Sequence, residues 1–259
     1  MEELEQTSAG YEEAMPVDSL RWWTAAVVDA AVELPGVRTL TLAVPGWLGH
    51  AAGQYVDVRR TMPSGHQSAR SYSIASAPEE GERLRLTIQE VPGGEVSPFL
   101  TRDVRRGDQL ALRGPLGADF AWTVADGGPL LLIAGGSGIA PLMAMLRQRA
   151  LRQSRVPARL LYSARTADEI IYRAELAALA AGDPNLDVTY TLTRETRPGG
   201  TGYRRRIDSA MLNAVSWPAA RKPLVYIAGP TSFVETAAGG LLDLGYDSSR
   251  IFTEWFSPR

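Results

Sequence analysis

Between Trp22 and Gly114 the chain passes through six short segments in which apolar and polar residues alternate, each closed by turn residues such as glycine, proline or serine. The segments TAAVVDAAVEL, VRTLTLAV, QYVDVRR, RSYSIAS, RLRLTIQEV and DQLALRG carry the period of two expected of strands with one buried face. Strands at such close spacing predict an antiparallel barrel or sandwich. Between the last two, Ser97 to Val104 reads as a short helix, with Ser97 as N-cap and Pro98 at the first helical position.

After Ala125-Asp126-Gly127-Gly128 the pattern changes. The runs PLLLIAG, ARLLYSA, DVTYTLTR, PLVYIAG and IFTEWF alternate with helical stretches near 142–153, 168–181, 208–214 and 232–244, which predicts parallel βαβ units. The expected fold is thus an antiparallel barrel over residues 19–125 followed by an α/β domain with a parallel sheet over 126–259. Residues 1–18 are acidic, short of large apolar side chains apart from Tyr11, and read as a mobile tail. No internal repeat interrupts this plan.

The chain has 259 residues, 45% apolar and 22% charged, enough for two globular domains. A net charge of −2 gives no basic excess of the kind a duplex-binding protein needs, so no nucleic-acid partner is expected. Cysteine is absent, which excludes disulfides, thiol catalysis and cysteine-ligated iron–sulfur clusters within this sequence. Two histidines, His50 and His66, are too few for a histidine metal site. The first residues, Met1-Glu2-Glu3, lack a signal-peptide pattern, which points to a cytoplasmic setting. The uncharged segment Gly127 to Met145 is the one candidate for a membrane span, and its central glycines and prolines argue against that role.

Two segments carry chemistry. Gly135-Gly136-Ser137-Gly138-Ile139-Ala140-Pro141 follows a buried-strand run and opens a helix. Such a turn offers backbone N–H groups and a helix N-terminus to an anion, although glycine turns after strands also serve plain tight packing. Upstream lies Arg70-Ser71-Tyr72-Ser73. A guanidinium there can pair with a phosphate, a phenol ring can lie on a flat ring and a hydroxyl can bond a ring nitrogen; an edge strand with a surface Arg and a packed Tyr is the competing reading. Strict alternation sends Tyr72 and Ser73 to opposite faces, so both reach one ring only across a strand end or bulge.

In this order, and joined by Gly94-Glu95-Val96-Ser97, Gly114-Pro115-Leu116-Gly117, Tyr162-Ser163-Ala164-Arg165 and Gly229-Pro230, the two segments give a chain that resembles the ferredoxin-NADP reductase superfamily from about Trp22 to Phe256. The resemblance implies a barrel that binds FAD and an α/β domain that binds NADPH or NADH. It implies flavin contacts at Arg70, Tyr72, Ser73, Thr87, Gly94, Glu95, Val96 and Ser97, and nucleotide contacts at Gly135, Gly136, Ser137, Gly138, Ala228, Gly229 and Pro230. Ser163, Arg165, Thr193, Arg194 and Arg206 are the positions that clasp the 2′-phosphate in NADPH-using relatives, and they favour NADPH here; a solvated arginine surface is the competing reading. The resemblance also implies catalytic roles for Tyr72, Ser73 and Glu254, the last relaying protons near flavin N5. Trp255 or Phe256 then covers the flavin face opposite Tyr72, or simply packs the sheet.

The chain departs from the family at Ala228, where relatives place a cysteine beside the nicotinamide, and at Trp255, where they place an arginine. The implied activity is a flavoprotein reductase that passes electrons from NAD(P)H to a separate acceptor protein such as a ferredoxin, a flavodoxin or an oxygenase component. A reductase of free flavin and a redox-sensing module with little turnover are the alternatives.

Overall fold

The computed structural model describes residues 21–78, 81–195 and 202–256. The expected acidic segment 1–18 lies outside them. Six antiparallel strands form one sheet: β1 (Trp22–Leu34), β2 (Val37–Ala43), β3 (Tyr55–Thr61), β4 (Gln67–Ser73), β5 (Arg83–Gln89) and β6 (Gln109–Leu116), in the order β4-β3-β6-β1-β2-β5. The outer strands β4 and β5 approach each other through a bridge between Ile74 and Leu86, which nearly closes the barrel. Strand β1 pairs with β6 through Trp22–Ala26 and with β2 through Ala26–Leu34, and a bulge between Val27 and Asp29 bends it from one neighbour to the next. Alternation decides the core: Trp23, Ala25 and Val27 of β1 point inward to meet Leu40, Leu42, Leu84, Leu86 and Leu112.

Five parallel strands form the second sheet: β7 (Leu130–Gly135), β8 (Ala158–Ala164), β9 (Leu186–Leu192), β10 (Leu224–Gly229) and β11 (Ile251–Trp255), in the order β11-β10-β7-β8-β9. Strands β7 and β10 are buried at every position because both sheet faces are covered, which accounts for their unbroken apolar runs. The helices are α1 (Ile139–Leu151), α2 (Arg173–Gly182), α3 (Ser209–Val215) and α4 (Thr231–Asp243). The uncharged stretch Gly127 to Met145 divides into β7, the glycine turn and the start of α1. Among the described residues no helix is long and apolar enough to cross a membrane.

Two expectations need correction. The helix expected from Asp168 begins only at Arg173; a 3-10 turn at Ala167–Glu169 precedes it, and Tyr172, with left-handed backbone at φ 59°, stands immediately before its first residue. The segment after Ser97 is a π-helical turn, Phe99–Asp103, and Ser97 does not cap it. Its hydroxyl accepts from the Val91 N–H at 3.0 Å instead and closes the preceding loop.

The two sheets share a core. Val37, Ala52, Ala75, Phe120 and Trp122 belong to the same apolar cluster as Leu132, Ala134, Met143, Met145 and Tyr226. Tyr226 stands edge-on to Phe120 and donates its hydroxyl to the Ala121 carbonyl at 3.1 Å.

Candidate active site

A cleft of about 930 Å³ opens between the two halves, within the size range of cofactor sites. Its barrel wall comes from β3, β4, β5 and the 91–97 loop, and its opposite wall from Ser137, Ala140 and the whole of β11 with Phe256. Ser73 is the last residue of β4, so strand alternation no longer governs it. Tyr72 and Ser73 both face the cleft, across a strand end. Burial pushes the Tyr72 phenol well above its ordinary pKa, which keeps it neutral.

The cleft gathers Arg70, Tyr72, Ser73, Thr87, Gly94, Glu95, Val96, Ser97, Ser137, Glu254, Trp255 and Phe256 of the expected residues. The Arg70 guanidinium donates to the Ala69 carbonyl at 2.7 Å and to Ser68 Oγ at 3.3 Å, and so stays on the exposed side of β4. Parallel register sets Glu254 beside Ala228, and alternation along β11 places it on the same sheet face as Phe252, toward the barrel. There Ser73 Oγ donates to Glu254 Oε2 at 3.2 Å. Burial raises the Glu254 pKa to about 7, against a smaller opposing effect of the Ser73 hydroxyl. The Phe256 N–H donates to the Gly229 carbonyl at 2.8 Å and anchors the chain past β11, while Trp255 remains 54% exposed.

Several expected residues do not line the cleft. Ala228 is fully buried. The glycines of the turn divide by cause. Only Gly136 has a left-handed backbone, φ 57°, and a Cβ there would meet only Gln89 Oε1, at an ordinary contact distance of 3.9 Å. A Cβ on Gly138 would lie 2.1 Å from the Ala228 carbonyl oxygen, and one on Gly135 would lie 2.8 Å from the Phe233 ring. Those two glycines therefore also let the turn lie against the end of β10 and α4. Gly229 serves the same close packing: a Cβ there would lie 3.0 Å from the Phe233 ring and 3.1 Å from Gly135.

Ser163, Arg165, Thr193 and Arg194 sit together at the carboxyl ends of β8 and β9, joined by backbone hydrogen bonds from Thr193 to Ala164 at 3.0 Å and from Arg194 to Arg165 at 2.7 Å. A bridge between Thr191 and Tyr203 lays the segment leading to Arg206 alongside them. Arg165 is paired with Glu169 at 2.6 Å, so one of the three arginines has its charge balanced locally.

The sequence pattern did not single out Tyr55, Gln89, Asp119 or Phe120, which also line the cleft. The Tyr55 ring packs against Gly117, where a Cβ would come within 2.7 Å of it; this explains the final glycine of Gly114-Pro115-Leu116-Gly117. Arg60, also unmarked, donates to the Glu95 carbonyl at 2.5 Å and lies 4.5 Å over the Phe99 ring, which steadies the 94–97 loop. Neither pairing has a local signature in the sequence.

The lining brings two aromatic side chains, Tyr72 and Trp255, together with the polar pair Ser73 and Glu254. Residues 26–121 match the oxidoreductase FAD-binding domain family and residues 132–239 the oxidoreductase NAD-binding domain family. The chain is 29% identical over 248 residues to the reductase component of propane 2-monooxygenase from Mycolicibacterium goodii, covering 94% of this chain and 69% of that one. It is 32% identical over 211 residues to the glycine betaine monooxygenase reductase subunit of Pseudomonas aeruginosa, covering 80% and 56% respectively. This chain therefore spans between about half and two-thirds of the length of these relatives. Among solved structures, the FAD/NAD-binding domain of nitric oxide dioxygenase from Vibrio cholerae superposes with a TM-score of 0.80 at 26% identity, covering 90% of this chain and 98% of that one. The barrel, the parallel sheet and the two matched domains agree: the chain is an FAD- and NAD-binding oxidoreductase and belongs to the ferredoxin-NADP reductase superfamily.

Proposed function

We propose that this protein is the reductase of a multicomponent system: it takes electrons from NAD(P)H and delivers them to a separate acceptor protein, of the kind served by the monooxygenase reductases it resembles. The observation that carries the reading is the meeting of Ser73 and Glu254 between two cofactor-sized walls. FAD, when bound, would supply the redox chemistry that couples a two-electron nicotinamide donor to one-electron transfer.

The chain's own residues supply orientation. In this reading residues 19–125 form the flavin unit and 126–259 the nucleotide unit. Tyr72 supports one flavin face, and Arg70 with the backbone of Gly94 to Ser97 holds the pyrophosphate. Thr87 would line the ring pocket, and Trp255 and Phe256 would cover its second face and give way to nicotinamide. Gly135 to Gly138 with Gly229 and Pro230 cradle the nucleotide, above the buried Ala228. Ser73 passes a proton between the cleft and Glu254, whose pKa of about 7 lets it hold or release one near neutrality. Ser163, Arg165, Thr193, Arg194 and Arg206 select NADPH over NADH, with Glu169 moderating that choice. The setting is cytoplasmic, where reduced nicotinamide nucleotides are regenerated.

Anaerobic stopped-flow absorbance of the FAD-loaded protein tests the reading. Rapid bleaching by NADPH, and slower or weaker bleaching by NADH, is expected. A bound flavin that neither nucleotide bleaches overturns it.

A further inference from the structure

Helix α1 starts at the glycine turn, and its Arg147 is only 7% exposed. Arg147 Nε and Nη2 donate to the Glu175 carboxylate at 2.8 and 2.6 Å, and Nη1 donates to the Ala75 carbonyl at 2.6 Å. Ala75 lies just beyond Ser73 in the chain. One guanidinium thus ties the helix that follows the glycine turn, helix α2 and the segment leaving the Arg70–Ser73 strand. Burying an arginine is costly compared with an apolar residue of similar size, so its retention points to geometry more than to stability.

The same guanidinium lies 4.7 Å over the ring of Tyr172. Tyr172 is 6% exposed and holds a left-handed backbone, which a bulky side chain adopts only where its surroundings impose it. Its hydroxyl is hydrogen-bonded to Thr87 Oγ1, across the boundary between the halves. Thr87 Oγ1 lies 2.7 Å from Thr39 Oγ1, its cross-strand partner, and Thr39 donates to Glu33 at 2.7 Å. Thr87 itself lines the cleft. Each side chain of the pair therefore reaches across from the nucleotide half and touches the barrel next to a residue of the flavin wall.

We propose that Arg147 and Tyr172 are positioning residues, a clamp that holds the nucleotide half at a set distance and angle from the flavin half so that nicotinamide meets the flavin in reacting register. The shared apolar core cannot do this alone, because hydrophobic burial is non-directional, whereas a buried charge-assisted hydrogen bond fixes distance and orientation. Hydride transfer is sensitive to misplacement on the ångström scale. The inference rests on the reductase reading.

The test uses the FAD-loaded full chain with Tyr172→Phe, which keeps the ring under Arg147 and removes only the hydroxyl, and with Arg147→Lys, which keeps the charge but not the fork. Anaerobic stopped flow at saturating NADPH or NADH is expected to show the limiting rate of flavin bleaching reduced about tenfold, with half-saturating nucleotide and the FAD dissociation constant changed by less than about threefold. The long-wavelength charge-transfer absorbance between nicotinamide and flavin should weaken in parallel. A purely structural role lowers thermal stability and leaves the limiting rate and that absorbance unchanged, which overturns the clamp. Should Arg147→Lys not fold, Tyr172→Phe decides by itself. Wild-type holoprotein that neither nucleotide bleaches overturns the reductase reading and the clamp with it; a competent wild type beside unaltered variants overturns the clamp alone.

Discussion

Ser73 and Glu254 stand 181 positions apart in the chain and meet through one hydrogen bond, Ser73 Oγ to Glu254 Oε2, at 3.2 Å. The end of a barrel strand and the edge strand of the parallel sheet touch there. The contact brings a hydroxyl able to relay a proton against a carboxyl able to store one.

Stability should report the Glu254 proton. Burial raises this pKa from 4.5 to about 7, so the folded protein binds the proton more tightly than the unfolded chain does. The resulting stabilisation is fully present below the unfolded value and is lost as pH rises through the folded one. Glu254→Gln removes the titration and keeps an acceptor for Ser73. Urea denaturation at about pH 5 and about pH 8 should show wild type losing more stability than the variant between those values, by up to about 3 kcal/mol. Parallel losses in the two proteins would show that Glu254 titrates normally.

The turn glycines should separate by mechanism. Gly138→Ala forces a Cβ against the Ala228 carbonyl, with a planned approach of 2.1 Å, and backbone has no room to yield. It should cost about 3 kcal/mol or more in chemical denaturation. Gly136→Ala meets only an ordinary 3.9 Å contact with Gln89 and carries the left-handed strain, about 1 kcal/mol. Equal costs would contradict this division.

Arg70 is anchored by Ala69 and Ser68 on the exposed side of its strand, so its removal should leave the fold intact. Arg70→Ala is expected to raise the FAD dissociation constant about tenfold to a hundredfold with an unchanged melting temperature of the flavin-free protein. Flavin fluorescence titration measures it; unchanged affinity removes Arg70 from the pyrophosphate site.

Glu169 competes for Arg165 through their 2.6 Å ion pair. Glu169→Gln should therefore shift kcat/KM toward NADPH relative to NADH by about threefold, a modest amount because the pair is exposed. Arg194→Ala and Arg206→Ala should shift it the other way, raising KM for NADPH more than for NADH. Identical effects on both nucleotides would leave these arginines as surface charge.

The sequence alone determined the strands and the two cofactor motifs, because the physics behind them is local. A strand with one face on a core must alternate, as β1 and β2 do. A strand covered on both faces runs continuously apolar, as β7 and β10 do. The Arg70–Ser73 segment and the glycine turn were legible for the same reason: each packs its chemistry into a few consecutive residues.

Tertiary structure alone decided what those residues meet. Ser97 looked like a helix cap and instead closes a loop onto Val91. The close approach of β10 and α4 that requires glycine at 135 and 138 leaves no trace in the sequence. Tyr55 against Gly117, and Tyr172 against Thr87, join strands and turns far apart in the chain. Such pairs have no periodicity and no spacing, since the close approach that selects each partner exists only after distant strands have paired within the barrel or the two sheets have packed.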